Sequence, residues 1–100
     1  MSSAVDSAQI EIDPREVFDW RAREPELQLI DVREHYEHEA GHIAGDRHIA
    51  LVELAGAAAS IERERPVIFY CRVGSRSQMA AQAYRTAGFE AYSMSGGLLG

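Results

Sequence analysis

The sequence predicts an α/β fold built on a mainly parallel sheet. Three observations point there. Short apolar, β-branched segments recur between helix-like ones, the connections between them are brief, and one segment, Pro66-Val67-Ile68-Phe69-Tyr70, is apolar without alternation. An uninterrupted run of that kind suits a strand covered on both faces, and strands that alternate with helices pair in parallel.

Taken in order, residues 1–8 are small and polar and are expected to form a disordered tail, leaving 9–100 as one domain. Ile10-Glu11-Ile12 alternates like a short edge strand. Asp13-Pro14-Arg15-Glu16 is a strong helix start, with Asp as N-cap, Pro at the first helical position and Glu at the third. That helix should run to about Arg23 and bury Val17, Phe18 and Trp20. Leu27 to Val32 reads as a strand, and Arg33 to Ala40 as a short polar helix stopped by Gly41. His48-Ile49-Ala50 is a brief strand, and Leu51 to Ile61, rich in Ala and Leu, a third helix. The charged turn Glu62-Arg63-Glu64-Arg65 leads into the strand at Pro66 to Tyr70. Beyond it Met79, Ala80, Ala83, Tyr84 and Ala87 recur at helical spacing and are assigned to the core, with Gly88 as the stop. Phe89 to Met94 completes the order.

With 100 residues and 46% of them apolar, the chain can bury one core and not two. Its single cysteine excludes an internal disulfide, a CxxC redox pair and a cysteine-built zinc site. The amino terminus has no basic region or long apolar stretch, and nothing is long enough to span a membrane, so a cytoplasmic location is expected. Net charge is −6 and all ten basic residues are arginine, without a basic cluster. Neither nucleic acid nor membrane is an expected partner.

The lone cysteine, Cys71, opens the stretch Cys71-Arg72-Val73-Gly74-Ser75-Arg76-Ser77 between the apolar strand and the helix after it. An unpaired cysteine often serves only as a small buried hydrophobe. Here, however, it stands at the carboxyl end of a central strand, where parallel sheets bind ligands, and the loop runs into a helix amino terminus. Backbone N–H groups of such a loop, the helix dipole and the fixed charges of Arg72 and Arg76 all favour an anion, including the thiolate itself. Gly74 allows backbone angles that other residues avoid. Cys71 therefore reads as a nucleophile.

Leu29-Ile30-Asp31-Val32-Arg33-Glu34, Glu37, Gly41-His42-Ile43-Ala44-Gly45, His48-Ile49, Tyr70 to Ser77 and Gly96-Gly97 together, in this order, resemble the single-domain rhodanese family. The likeness runs from about Ile10 to Gly97. It implies a five-stranded, mainly parallel sheet with helices on both faces and thiosulfate:cyanide-type sulfurtransferase activity. On that resemblance Cys71 accepts a sulfane sulfur and holds it as a persulfide, cradled by Arg72, Val73, Gly74, Ser75 and Arg76. Related phosphatases and arsenate reductases have a loop one residue longer, so the six residues Cys71 to Arg76 point to sulfur. The expected partners are a small anionic sulfur donor and a thiol or cyanide acceptor, or a sulfur-accepting protein. The chemistry requires neither metal nor organic cofactor. Two other readings stay in view: a persulfide carrier that depends on a partner, and a phosphatase or arsenate reductase of the same fold.

Arg72 and Arg76 are expected to bind the anionic end of the donor, the alternative being that one pins the loop through an acid such as Asp31. Asp31 and Arg33 are assigned to a supporting ion-pair network beside the loop. His35, His38 and His42 fall at spacings that could share a helical face, but Gly41 should end the helix before His42, and no metal site is expected. Gly96-Gly97 is expected to form a turn close to the active loop, with Leu98 and Leu99 at the pocket mouth. The family resemblance also implies a further helix after this turn, which this sequence does not contain; either the sequence is clipped or the sheet has lost a cover, and an uncovered apolar surface would invite association.

Overall fold

The computed structural model describes residues 9–99. The expected tail at 1–8, Gly100 and the side chain of Leu99 lie outside the described part of the chain. The elements are β1 (Glu11–Ile12), α1 (Pro14–Arg23), β2 (Gln28–Asp31), α2 (His35–Ala40), β3 (Arg47–His48), α3 (Leu54–Ala57), β4 (Val67–Tyr70), α4 (Ser75–Thr86) and β5 (Ala91–Met94). The described residues form a five-stranded sheet in the order β1-β5-β4-β2-β3, with every pairing parallel. β4 is thus central, and Cys71 follows its last residue.

The sheet buries both faces. On one, Val17 and Trp20 of α1 pack with Leu29, Ile68, Tyr70, Tyr92 and Met94. On the other, Leu54 of α3 and Ala80, Ala81 and Tyr84 of α4 pack with Ile30, Val67, Phe69 and Ala91. α1 begins as its residues dictate: Asp13 accepts a hydrogen bond from the Arg15 N–H, and Pro14 opens the helix.

Four local expectations need correction. Phe18 is 47% exposed, because the stripe of α1 that meets the sheet is centred on Val17 and Trp20. The helix expected over Leu51 to Ile61 is instead one α-helical turn between the 3-10 turns Leu51–Glu53 and Ala58–Ser60. α2 starts at His35, after Glu34 and Glu37 form a capping box, and Arg33 is left out of it to turn back onto Asp31. Finally, α4 turns Ser77, Ala80, Ala81 and Tyr84 to the sheet, while Met79 is 60% exposed and Ala83 and Ala87 are exposed with it. Ser77, a polar residue, occupies a core position and so shifts the apparent apolar stripe. Met79, Ala83 and Ala87 instead line an open apolar groove against Leu51 and Ala58.

Candidate active site

β4 ends between β2 and β5, and the chain must turn sharply to enter α4. Gly74 makes the turn at φ +104°, a left-handed angle that disfavours any side chain, and a Cβ there would crowd the Gly96 amide at 3.1 Å. Gly97 has φ +55°, and a Cβ on it would collide with the backbone of Cys71 and Arg72. Its turn carries Leu98, whose N–H donates to the Cys71 carbonyl at 3.0 Å. The Gly96-Gly97 turn therefore braces the loop from behind, as expected. Leu98 borders an open cleft with Arg33, Tyr36, Glu37, Ala40 and Arg72.

Cys71 itself is buried at the base of the loop. Gly74 N–H donates to Sγ at 3.0 Å and Ser77 N–H at 3.4 Å, and Ser77 Oγ lies 3.5 Å away. Burial opposes ionisation of the thiol, but the Ser77 hydroxyl and the loop amides of Ser77, Gly74 and Arg76 outweigh it and hold Cys71 below the usual thiol range. Neutral donors, rather than a neighbouring cation, do most of this. The arrangement suits a thiolate that attacks and can be restored as a leaving group.

The two arginines have different surroundings. Arg76 grips Glu37 of α2 through two hydrogen bonds, Nη1 to Oε1 at 2.7 Å and Nη2 to Oε2 at 3.1 Å. The guanidinium lowers the Glu37 carboxyl to about 2, against the opposing effect of burial. The acid that pins the loop is therefore Glu37 and not Asp31. Arg72 is exposed, forms no ion pair among the described residues, and lines the cleft with Leu98. Val73 and Ser75 are exposed on the loop rim.

Asp31 and Arg33 form a closed network at the end of β2. Arg33 Nε and Nη2 donate to the Asp31 carboxylate at 2.8–3.1 Å, and Nη2 also donates to the Gly41 carbonyl. Burial would raise the Asp31 carboxyl, but these bonds and the one from His38 hold it below its ordinary value. His38 Nδ1 lies 2.9 Å from Asp31 Oδ2. Tyr70, the last residue of β4, donates its hydroxyl to Asp46 and accepts the Ile43 N–H, tying this network to the central strand.

His38, His42 and Asp46 bring one donor atom each within 4.8 Å of one another. Yet the His38 and His42 rings stack face to face, with centroids 3.8 Å apart and planes at 14°, and His48 stacks on the other side at 4.6 Å. Imidazole lone pairs lie in the ring plane, so parallel rings do not converge on one ion. Their Nδ1 atoms are taken by Asp31 and the His38 carbonyl. The geometry is a stack that packs α2 against the following turn and β3.

Three residues of the site escaped the reading of the sequence. Glu37 could have been found from the pairing of an in-loop arginine with the acid of a capping box. Ser77 closes the loop motif, and its place in α4 is what turns its hydroxyl toward Cys71. Ser93 carries no local signal at all: only the β4–β5 pairing, which sets it beside Phe69, brings its hydroxyl to 2.7 Å from Ser77 Oγ.

A family model described as the rhodanese-like domain matches residues 14–100. The chain is 44% identical over 80 residues to YqhL, an uncharacterized protein of Bacillus subtilis, covering 79% of this chain and 64% of that one. It therefore spans less than two thirds of that relative. It is 36% identical over 76 residues to the thiosulfate sulfurtransferase GlpE of Pseudomonas aeruginosa, covering 75% of this chain and 69% of that protein. Among solved structures, the human single-domain sulfurtransferase TSTD1 superposes with a TM-score of 0.79 at 26% identity, covering 88% and 90% of the two chains. A match across the sheet, the thiol loop and the Gly-Gly turn that braces it makes this chain a member of the rhodanese-like domain family.

Proposed function

We propose that the protein is a sulfurtransferase in which Cys71 carries a sulfane sulfur from an anionic donor such as thiosulfate to a thiol or cyanide. The observation that supports this most is the loop around Cys71 Sγ, where two backbone amides donate to the sulfur and the Ser77 hydroxyl lies within reach of it, with no charged side chain hydrogen-bonded to it among the described residues. The thiolate attacks the outer sulfur of thiosulfate, a sulfur–sulfur bond to Cys71 forms, and the bond to the sulfonate sulfur breaks with its electron pair leaving on sulfite. An acceptor thiolate or cyanide then attacks the outer sulfur of the persulfide, and the Cys71 thiolate departs. Sulfite leaves readily, so no dedicated general acid is called for. The charge that returns to Cys71 in the second step meets the same loop donors.

In this reading Arg72, which has no acidic partner among the described residues, contacts the anionic end of the donor. Arg76 and Glu37 hold the loop in shape, with Val73, Gly74 and Ser75 forming its rim, and Asp31 and Arg33 support the neighbouring turn. Sharing the reaction with GlpE and TSTD1 is part of the proposal, since each is named a sulfurtransferase.

Intact mass spectrometry tests the reading. Incubation with thiosulfate, and separately with a low-molecular-weight persulfide, should add the mass of one sulfur to the native protein and none to Cys71→Ser. No gain with either donor overturns it. Hydrolysis of an aryl phosphate without sulfur gain would move the site to the phosphatase reading. Loading that turns over only when an acceptor protein is supplied would make the chain a carrier.

A further inference from the structure

Ser77 and Ser93 are both buried, and their hydroxyl oxygens lie 2.7 Å apart. Each hydroxyl has one proton to give and two lone pairs to accept with. Around Ser77 Oγ stand three groups: Ser93 Oγ, the Gly74 carbonyl at 3.1 Å and Cys71 Sγ at 3.5 Å. The carbonyl can only accept, and so can the sulfur once ionised. Ser77 is the one side-chain partner of Ser93 Oγ among the described residues. Were Ser77 to donate to Ser93, the Ser93 proton would be buried without an acceptor and the thiolate would face a lone pair, both costly. The opposite polarity satisfies both protons.

We propose that Ser93 is a positioning residue for the Cys71 thiolate: its hydroxyl donates to Ser77 Oγ and commits the single Ser77 proton to the loop, where the ionised sulfur takes it. With Cys71 protonated, its S–H donates to Ser77 Oγ and the Ser77 proton rests on the Gly74 carbonyl. When the thiol loses its proton to solvent, the Ser77 hydroxyl turns to the sulfur. Ser93 donates in both states, but not to equal effect. An oxygen that already accepts one proton is a weaker acceptor for a second and a stronger donor of its own. Ser93 thus weakens the bond made by the thiol and strengthens the one made to the thiolate. β5, which carries no residue of the loop, sets the readiness of the nucleophile on β4.

The inference takes Cys71 as the reacting group, as proposed above, but its test does not depend on sulfur transfer. The ultraviolet absorbance of the thiolate is titrated against pH, with Cys71→Ser as the blank for tyrosine; a lone cysteine leaves one signal. Ser77→Ala should raise the midpoint by about one pH unit and Ser93→Ala by roughly half a unit. The double variant should rise no further than Ser77→Ala alone, because Ser93 acts through Ser77. An unmoved midpoint in Ser93→Ala, or a Ser93 effect that persists in the Ser77→Ala background, overturns the proposal. Should Ser93→Ala not fold, Ser93→Thr and Ser93→Val decide: they share a shape, and only Thr keeps the hydroxyl. Thr should titrate near the native protein and Val above it, and equal midpoints overturn the proposal. Shifted midpoints with no sulfur gain by mass would discard the sulfurtransferase reading and leave this one standing.

Discussion

Two adjacent parallel strands, β2 and β4, end at the same edge of the sheet, and each turns there around an anion. At β2 the anion is Asp31, met by the Arg33 guanidinium two residues on and by His38, while Arg33 is itself steadied by a bond to the Gly41 carbonyl. At β4 the group is the Cys71 sulfur, an anion once ionised, which faces two backbone amides and a hydroxyl. In the proposed reading the difference separates a structural charge from a reactive one. A carboxylate bound to a guanidinium is satisfied and has nothing further to do. A thiolate held by neutral donors is stabilised enough to form, and keeps enough electron density to attack. Arg76 could have quenched it but is held by two bonds to Glu37, so an ion pair that joins the two regions also keeps them chemically distinct.

The comparison breaks most visibly at β2. Asp31→Ala leaves Arg33 buried without its partner, and should destabilise the fold by about 3–5 kcal/mol in urea unfolding. A loss below about 1 kcal/mol would mean that the network is not structural. At β4, Arg72→Ala should raise the KM for thiosulfate several-fold with little change in kcat or in stability, whereas Arg76→Ala should lower kcat for anionic and neutral donors alike. A selective loss of thiosulfate use in Arg76→Ala would return Arg76 to the donor site. Gly97→Ala, which places a Cβ against the Cys71 and Arg72 backbone, should lower sulfur loading and the unfolding midpoint together. The smallest effect concerns the bond between the regions. The folded Glu37 carboxyl sits at about 2, below its ordinary 4.5, so the stability it adds is fully present above about pH 4.5 and is lost as pH falls through 2. The pair is partly exposed, which limits this to about 1 kcal/mol or less. Unfolding compared at about pH 6 and about pH 3 should show a larger drop in the native protein than in Glu37→Gln, which keeps the share due to Asp31; equal drops would assign the acid sensitivity elsewhere.

Much of the architecture was legible because it depends on local chemistry. Asp13-Pro14 with Glu16 favours a helix start, the β-branched apolar run from Pro66 to Tyr70 favours a strand covered on both faces, and Gly74 between Cys71 and a helical repeat favours a turn into a helix. In two of the misjudged elements a polar group overrides the pattern. Arg33 leaves its helix for a buried carboxylate, and Ser77 takes a core position that an apolar residue was expected to fill.

The sequence by itself determined the parallel α/β order and the place of the six-residue loop that Cys71 opens, since strand, turn and helix signals act over a few residues. Only the tertiary structure decided what faces the sulfur and what holds the loop. Glu37 reaches Arg76 across 39 positions of sequence and Ser93 reaches Ser77 across 16. Contacts of that span depend on which strands pair and in what register, and a hydroxyl on a buried strand carries no mark of its partner until the sheet is assembled.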